Sequence, residues 1–425
     1  MARRCLNTEA QRHRARLTTV PNASRVAGAD KVRLGDVLSE TITGEWGGES
    51  SPSKGVAVLR TTNFTNFGEI NYDNLAWREI AKDKVERKHL CVGDIVVEKS
   101  GGTKDHPVGR VVFFDRADGL YLCNNFTQIL RPDRNLIVPR FLFYTLRAKY
   151  EMRVTESMYN KTTGIQNLKM SLYMAMPVVL PPLPTQRRIA AELDRLCALK
   201  KNAEDRLAIL DQLVKSRFVE MFGDTFANPK KWETRTFREA SLRLSDGPFG
   251  SNLKSSHYSE SGVRVIRLGN IGVGEFLDED RSYIPIEHYE KLKKYTCRKG
   301  ELVFGTLGEP NLRACLIPEY IEFAVNKSDC VHYVPRPELL DNQFVCSYVN
   351  SAGTLRLASS MVHGQTRTRV SSGQIAVLPI FVPPMKLQRE FAAFVASVDK
   401  SKAALRETVA TLDQLYRAKL QEYFG

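Results

Sequence analysis

The stretch Pro181–Gly223 begins PPLPTQRRIAAEL and returns 202 residues later as Pro383–Gly425, which begins PPMKLQREFAAFV. Fifteen of the 43 aligned positions are identical, including both Pro-Pro pairs and the Leu-Asp-Gln-Leu blocks at 210–213 and 412–415. A register held over this length without a gap indicates an internal duplication. The Pro-Pro pairs end a preceding strand, and after Pro184 in the first copy and Pro384 in the second no Pro or Gly occurs before Gly223 and Gly425. The block therefore predicts one long helix in each copy.

A narrow stripe at 3-4 spacing runs along each predicted helix, which is typical of a coiled-coil seam. A lysine interrupts the stripe at the same place in both copies and could set the register of a helix pair. The alternative is that each helix lies separately on its own domain. In the order of the chain, the stripe residues are Ile189, Leu193, Leu196, Lys200, Ala203, Leu207, Leu210, Val214 and Met221, with Arg217 or Phe218 at one uncertain step, then Phe391, Val395, Val398, Lys402, Leu405, Val409, Leu412, Tyr416 and Tyr423.

The duplication extends outward into the segments before the helices. Gly55–Asn63 (GVAVLRTTN) corresponds to Gly262–Asn270 (GVRVIRLGN), at an offset of 207 residues. Short β-rich runs, such as 110–114 and 376–382, and shorter helical stretches near 139–150 and 339–357 predict mixed α+β domains. The predicted organisation is a basic disordered arm at 1–27, a globular domain at 28–180, a long helix at 181–223, a second globular domain at 224–382 and a second long helix at 383–425.

Composition restricts the class of protein. The formal net charge is +14, which favours a polyanionic partner, while 43% hydrophobic and 26% charged residues are typical of a globular chain. No apolar run approaches the length of a membrane span. The eight cysteines form no CxxC pair, so we expect a reducing, cytoplasmic location and no metal site.

Catalytic motifs are absent from the sequence: it contains no GxxxxGK[ST], GxGxxG after a strand, HExxH or GxSxG. Asp94, Glu98 and Lys99 faintly resemble a metal-nuclease set, but the corresponding second-half segment, Glu301–Thr306, keeps neither Glu98 nor Lys99. We therefore predict no catalytic residues. The histidines that could join a triad are interpreted as surface residues.

Polar, glycine-containing segments follow the Gly-Asp or Gly-Glu strand and precede the final strand in each half. Small residues let backbone amides approach phosphates, Lys and Arg neutralise them, and Asn, Gln and Arg can form two-point hydrogen bonds with base edges. Ordinary solvated loops are the alternative. The predicted DNA-binding residues are Lys99, Ser100, Gly101, Gly102, Thr103, Lys104, Asn160, Lys161, Thr162, Thr163, Asn252, Lys254, Thr306, Arg313, Gln365, Thr366, Arg367 and Arg369.

Beyond the arm, the chain resembles the specificity subunit of type I restriction–modification systems over nearly its whole length. The features that carry the resemblance are the duplicated globular-plus-helix plan, the Gly-Asp/Glu-hydrophobic strand and the helix start Leu180–Ala190 (LPPLPTQRRIA). The second copy, Val382–Phe391, departs modestly and keeps the Pro-Pro pair, Gln388 and Arg389.

The resemblance implies two target recognition domains, each reading half of a bipartite, asymmetric double-stranded DNA site. It implies that the long helices form an antiparallel coiled coil with pseudo-twofold symmetry, and that two methyltransferase subunits and motor-nuclease restriction subunits join them. S-adenosylmethionine, ATP and magnesium would be used by those partners and not by this chain. Two alternatives stay open: a stand-alone or fused methyltransferase or nuclease with unrecognised motifs, and a coiled-coil scaffold that only bridges proteins.

Overall fold

The computed structural model describes residues 30–65, 67–103, 106–162, 165–362 and 369–425, without the side chains of Lys161 and Thr162. The chain divides into two units: the first contains the residues up to Asn202 together with Thr408–Gly425, and the second contains Ala203–Glu407. Each unit combines β-sheets with parts of two long helices, which confirms the predicted mixture of α and β structure. The predicted arm, residues 1–27, lies outside the described residues.

The helices are α1 (Lys82–Lys88), α2 (Pro139–Glu151), α3 (Met170–Met174), α4 (Leu183–Phe222), α5 (Ile286–Leu292), α6 (Asn342–Val349), α7 (Ala352–Ser360), α8 (Ser372–Val377) and α9 (Met385–Phe424). The strands up to α4 are β1 (Asp30–Arg33), β2 (Leu38–Thr43), β3 (Gly48–Glu49), β4 (Val56–Leu59), β5 (Ala76–Glu79), β6 (Ile95–Glu98), β7 (Ser100–Gly101), β8 (Val111–Phe113), β9 (Tyr121–Cys123), β10 (Thr127–Pro132), β11 (Tyr159–Thr162), β12 (Ile165–Leu168) and β13 (Pro177–Leu180). Those after α4 are β14 (Thr234–Thr236), β15 (Ser241–Ser245), β16 (Val263–Ile266), β17 (Ser282–Ile284), β18 (Thr296–Arg298), β19 (Leu302–Gly305), β20 (Arg313–Leu316), β21 (Phe323–Asn326), β22 (Cys330–Pro335) and β23 (Pro379–Phe381).

The sheets of the first unit have the orders β2-β10-β6-β8, β3-β5-β4-β9, β11-β12-β7 and β1-β13. Those of the second have the orders β15-β22-β19-β20, β17-β16-β21-β18 and β14-β23. The pairs β4–β9 and β16–β21 are parallel, and the other strand pairs of the described residues are antiparallel. Within each unit, the strands that begin and end the globular part, β1 with β13 and β14 with β23, pair with one another.

The central strand of each unit is buried on both faces. In β6, Ile95 and Val97 pack in a core that includes residues of α2, α4 and α9, whereas Val96 packs in a second core with β4 and β9. In β19, Phe304 lies in the helix-side core and Val303 in the other. This explains why these strands are continuous apolar runs instead of alternating ones.

The glutamine shared by both helix starts has a structural role. Gln186 is fully buried. Its Oε1 accepts a hydrogen bond from Val138 N at 2.7 Å, and its Nε2 donates to the carbonyl oxygens of Leu136 and Pro181. Gln388 makes the equivalent contacts with Asp341 N and with the carbonyls of Leu339 and Pro383. Each glutamine thus ties the N-terminus of a short helix to the start of a long one.

The predicted stripe is the least exposed face of both long helices, since every residue in it is buried or half-buried. The uncertain step is filled by Phe218, whose ring lies 5.5 Å from that of Phe391. In the first unit, Lys200 Nζ lies 2.6 Å from Asp413 Oδ1. In the second unit, Lys402 Nζ lies 2.6 Å from Asp211 Oδ1.

The predicted strand at 376–382 was partly wrong. Residues up to Val377 belong to helix α8, and only Pro379–Phe381 form a strand. Ser371 begins α8 with a capping box: Gln374 N donates to Ser371 Oγ, and Ser371 N donates to Gln374 Oε1. This local pairing stabilises a helical turn in β-prone residues. The helical stretch predicted at 339–357 is two helices, α6 and α7, because Ser351 starts α7 by accepting a hydrogen bond from Thr354 N.

Candidate nucleic-acid interface

In the first unit, two of the predicted binding segments meet in the small sheet β11-β12-β7. Leu168 N donates to Lys99 O at 2.8 Å, and Ser100 pairs with Asn167. The sheet therefore joins residues that lie more than sixty positions apart in the sequence, which supports the grouping of these segments into one site. Gly102 makes the turn after β7 with φ of +64°, and a Cβ there would lie 2.9 Å from Val108 N, so glycine is required.

A row of polar side chains crosses the three strands on one face. Asn160 lies opposite Asn167, and Asn167 lies opposite Ser100. Asn160 and Asn167 are exposed and Ser100 is half-buried. Ser100 Oγ donates a hydrogen bond to Asn167 Oδ1 at 2.8 Å. Asn167 is absent from the set predicted from sequence. Residues 165–168 read Ile-Gln-Asn-Leu, and this order gives no apolar alternation that marks the outward side chains, although the strand exposes Ile165 and Asn167 and buries Gln166 and Leu168.

The opposite face of β12 holds the row in place. Gln166 is buried, its Nε2 donates to Thr103 O at 3.0 Å, and its Oε1 accepts from Val108 N at 3.1 Å. Thr103, a predicted binding residue, is exposed. Its Oγ1 accepts a hydrogen bond from His106 N, so the turn after β7 is internally ordered.

The carboxylates that faintly resemble a nuclease set are engaged by arginines. Glu98 Oε2 accepts from Arg110 Nε at 2.8 Å, and Asp94 accepts two hydrogen bonds from Arg131. Lys99 is half-buried, and burial lowers the pKa of its ammonium. Within the described ranges, no group of three His, Cys, Asp or Glu side chains could hold a metal ion.

In the second unit the same backbone arrangement recurs. Val370 N donates to Thr306 O at 3.0 Å, and Leu307 pairs with Arg369 in an isolated bridge. Arg369 is half-buried, and its Nε lies 3.0 Å from Asp329 Oδ1. Thr306 itself is buried, and its hydroxyl donates to Asp329 O. We therefore assign Thr306 to the buried backbone contacts that support this site and not to its exposed surface.

The prediction that Arg313 contacts DNA needs correction. Its guanidinium donates to the backbone carbonyl oxygens of Ile271, Leu307 and Leu268 at 2.5, 2.8 and 3.1 Å. Burial lowers its pKa. Because the donors are directed at carbonyls of the same unit, Arg313 holds the strand end in place and leaves no comparable set for phosphate.

Asn252 and Lys254 are exposed, as a binding role requires. Two imidazoles order their loop: His288 Nε2 lies 2.9 Å from Asn252 O, and Lys254 N donates to His257 Nδ1 at 3.2 Å. The predicted binding residues Lys104, Thr163, Gln365, Thr366 and Arg367 lie outside the described residues, as do the side chains of Lys161 and Thr162.

The cysteines of the described residues are free thiols. Burial raises the pKa of the Cys123 thiol to about 11 and that of Cys346 to about 12. These two are therefore small core residues and not nucleophiles. Among the helices of the described residues, none combines the length and apolar character needed to cross a membrane.

Comparison with known proteins agrees with this architecture. Residues 29–209 match the family model of the type I restriction modification DNA specificity domain. The chain is 21% identical over 275 residues to the type I restriction enzyme MjaVIII specificity subunit of Methanocaldococcus jannaschii, covering 61% of this chain and 63% of that protein. It is 25% identical over 263 residues to the type I restriction enzyme EcoKI specificity subunit of Escherichia coli K12, covering 58% and 53%. The matches span less than two thirds of either relative.

Solved structures share the fold. The crystal structure of the type I restriction-modification system S subunit from M. genitalium aligns with 96% of this chain and 99% of its own, with a TM-score of 0.54 at 16% identity. A chain from work on complex assembly and conformational transition of the type I R-M system aligns with 94% and 98%, with a TM-score of 0.53 at 17% identity. The sequence match to the specificity domain covers residues 29–209, and the likeness of nearly the whole chain to the solved structures is a likeness of fold.

Proposed function

We propose that this chain is the sequence-specific DNA-binding subunit of a type I restriction–modification complex, in which each globular domain reads one half of a bipartite, asymmetric site. The observation that carries the proposal is the hydrogen bond of Leu168 N to Lys99 O and its counterpart, Val370 N to Thr306 O. In each unit this hydrogen bond joins the two corresponding polar segments, whereas the side chains of the segments differ between the units. One frame with two sets of side chains suits two different half-sites.

The two long helices form an antiparallel coiled coil in this proposal. Early residues of α4 contact late residues of α9 in the first unit, as in the hydrogen bond from Tyr423 Oη to Glu192 Oε2 at 2.7 Å. The pairs Lys200–Asp413 and Lys402–Asp211 are related by the same offset of 202 residues that relates the helices. Reciprocal pairs of this kind support a pseudo-twofold relation and one register.

Methylation, translocation and cleavage belong to partner subunits in this proposal, together with S-adenosylmethionine, ATP and magnesium. Exposed apolar side chains on the long helices support docking by two methyltransferase subunits, which motor-nuclease subunits would join. In the first unit these are Leu199 and Leu415, which are 49% and 43% exposed. In the second they are Ile209, Leu213 and Val219.

The test is methylome sequencing of a host that carries the methyltransferase subunit with and without this chain. We expect methylated adenines in one bipartite motif only when both are present. Activity of the purified chain alone would favour the fused-enzyme alternative. Binding without any sequence preference, with partners present, would favour the scaffold.

A further inference from the structure

One position of the candidate interface carries a base-reading type of side chain in both units, and the type differs. In the first unit it is Asn167, paired with Ser100. In the second it is Arg369, paired with Leu307. The offsets are those of the duplication, 202 residues for Asn167 and Arg369 and 207 for Ser100 and Leu307. The two residues therefore occupy equivalent places beside the strand end.

Each of these side chains is held by a neighbour that leaves its outer edge open. Ser100 Oγ donates to Asn167 Oδ1 and occupies one of the two lone pairs of that oxygen. The amide NH2 and the second lone pair remain as a donor and an acceptor side by side. Asp329 Oδ1 lies 3.0 Å from Arg369 Nε, on one edge of the guanidinium, and the terminal nitrogens offer two parallel donors.

We propose that this position determines one base in each half-site, adenine by Asn167 and guanine by Arg369. In the major groove, adenine presents the N7 acceptor beside the N6 donor, which matches a carboxamide, whereas guanine presents two acceptors, N7 and O6, which match a guanidinium. Ser100 and Asp329 are positioning residues, because they act through the readers. The inference rests on the proposed function and names the bases that the site distinguishes.

The experiment uses the complete complex with Asn167→Ala and Arg369→Ala, read by methylome sequencing and by selection from randomised duplexes. We expect each variant to relax one position, adenine in the first half-site and guanine in the second, and to leave the other half-site intact. The preference for the original base at that position should decrease by a factor of about 5 to 150, which is the discrimination that one two-point contact provides. The control variants are Asn135→Ala and Arg298→Ala, which change exposed residues outside the segments of the candidate interface. They should leave the base preference of both half-sites unchanged.

Positioning is tested by Ser100→Ala, Ser100→Thr and Asp329→Asn. Ser100→Ala should weaken the same adenine preference by a smaller factor, and Ser100→Thr should restore it because the hydroxyl returns. Asp329→Asn keeps a side chain that tolerates the φ of +66° at this residue and should weaken the guanine preference. A loss of stability alone would lower methylation at all positions equally.

Three results would overturn the inference. If Asn167→Ala or Arg369→Ala weakens binding equally for every sequence, the face contacts DNA without reading a base, and the proposed function stands. If a position relaxes but is not adenine or guanine respectively, the base assignment is wrong. If neither affinity nor sequence preference changes, the site itself is misplaced, and the proposed interface falls with the inference.

Discussion

Lys200 places its ammonium 2.6 Å from the carboxylate of Asp413, and both residues recur 202 positions away as Lys402 and Asp211. In the first pair the side chains are 15% and 31% exposed, and in the second 15% and 54%. The ring of Phe67 lies 4.5 Å from Lys200 Nζ and shields it further. The two pairs are thus equivalent in sequence and unequal in their access to water.

This inequality predicts different costs for removing each carboxylate. Asp413→Asn should lower the free energy of unfolding by about 1–2 kcal/mol, because it leaves a poorly hydrated ammonium without its ionised partner. Asp211→Asn should cost less than about 1 kcal/mol, since water can replace the more exposed carboxylate. Urea unfolding of the two variants beside the parent checks the order. Equal costs would show that exposure does not control the strength of these pairs.

Acidification should weaken the same contact. The hydrogen bond from Lys200 is the main reason why the pKa of Asp413 is lowered. A carboxyl whose folded pKa lies below its unfolded value stabilises the fold above that unfolded value, about 3.9, and loses the contribution as the pH falls through the folded pKa. Thermal unfolding between pH 7 and pH 2 should show this loss below about pH 4. Asp413→Asn should reduce the dependence, and an unchanged profile in that variant would contradict the assignment.

The lysines predicted from sequence to bind DNA should act through phosphates. Lys254→Ala and Lys104→Ala should each weaken DNA binding for all sequences and reduce the slope of log affinity against log salt by about 0.9. Binding titrations between roughly 50 and 200 mM salt measure both effects, because the affinity of a protein that contacts phosphates falls steeply over this range. Arg313→Ala is the contrasting variant: it should lower the melting temperature of the second unit and leave the salt slope unchanged. A reduced slope in Arg313→Ala would restore it as a DNA contact.

The domains should be separable in specificity. Exchange of residues 28–180 for the corresponding domain of a relative should alter one half-site and preserve the other, because the first unit builds its candidate interface from β7, β11 and β12 of its own sequence. Methylome mapping of the exchanged complex gives both half-sites at once. A change in both would contradict independent reading.

The long helices should set the gap between half-sites. One heptad inserted after Ala203 and one after Leu405 preserves the stripe in both helices. It adds about 10 Å, near three base pairs at ~3.4 Å each. The methylome of this variant should show the same half-sites with a longer gap, whereas a heptad in only one helix should destabilise the pairing. An unchanged gap with full activity would mean that another element measures the distance.

The sequence by itself determined the bounds of the two long helices to within about two residues and the buried stripe along them. These features are readable because helical periodicity is a property of residues that are neighbours in the sequence. The local sequence pattern was insufficient to predict the structure of 376–382, because a helix cap competed there with β propensity. The capping box of Ser371 and Gln374 stabilises α8, so part of the predicted strand is helical.

Tertiary structure alone decided which polar residues face outward. Arg313 and Lys254 are both cationic in loop-like sequence, yet Arg313 donates to four carbonyls within its unit and Lys254 is exposed. Asn167 was missed because its role depends on pairing with Ser100, 67 positions earlier. The physical reason is that strand pairing sets which side of a strand is solvent-exposed, and that register is fixed by contacts between segments distant in the sequence.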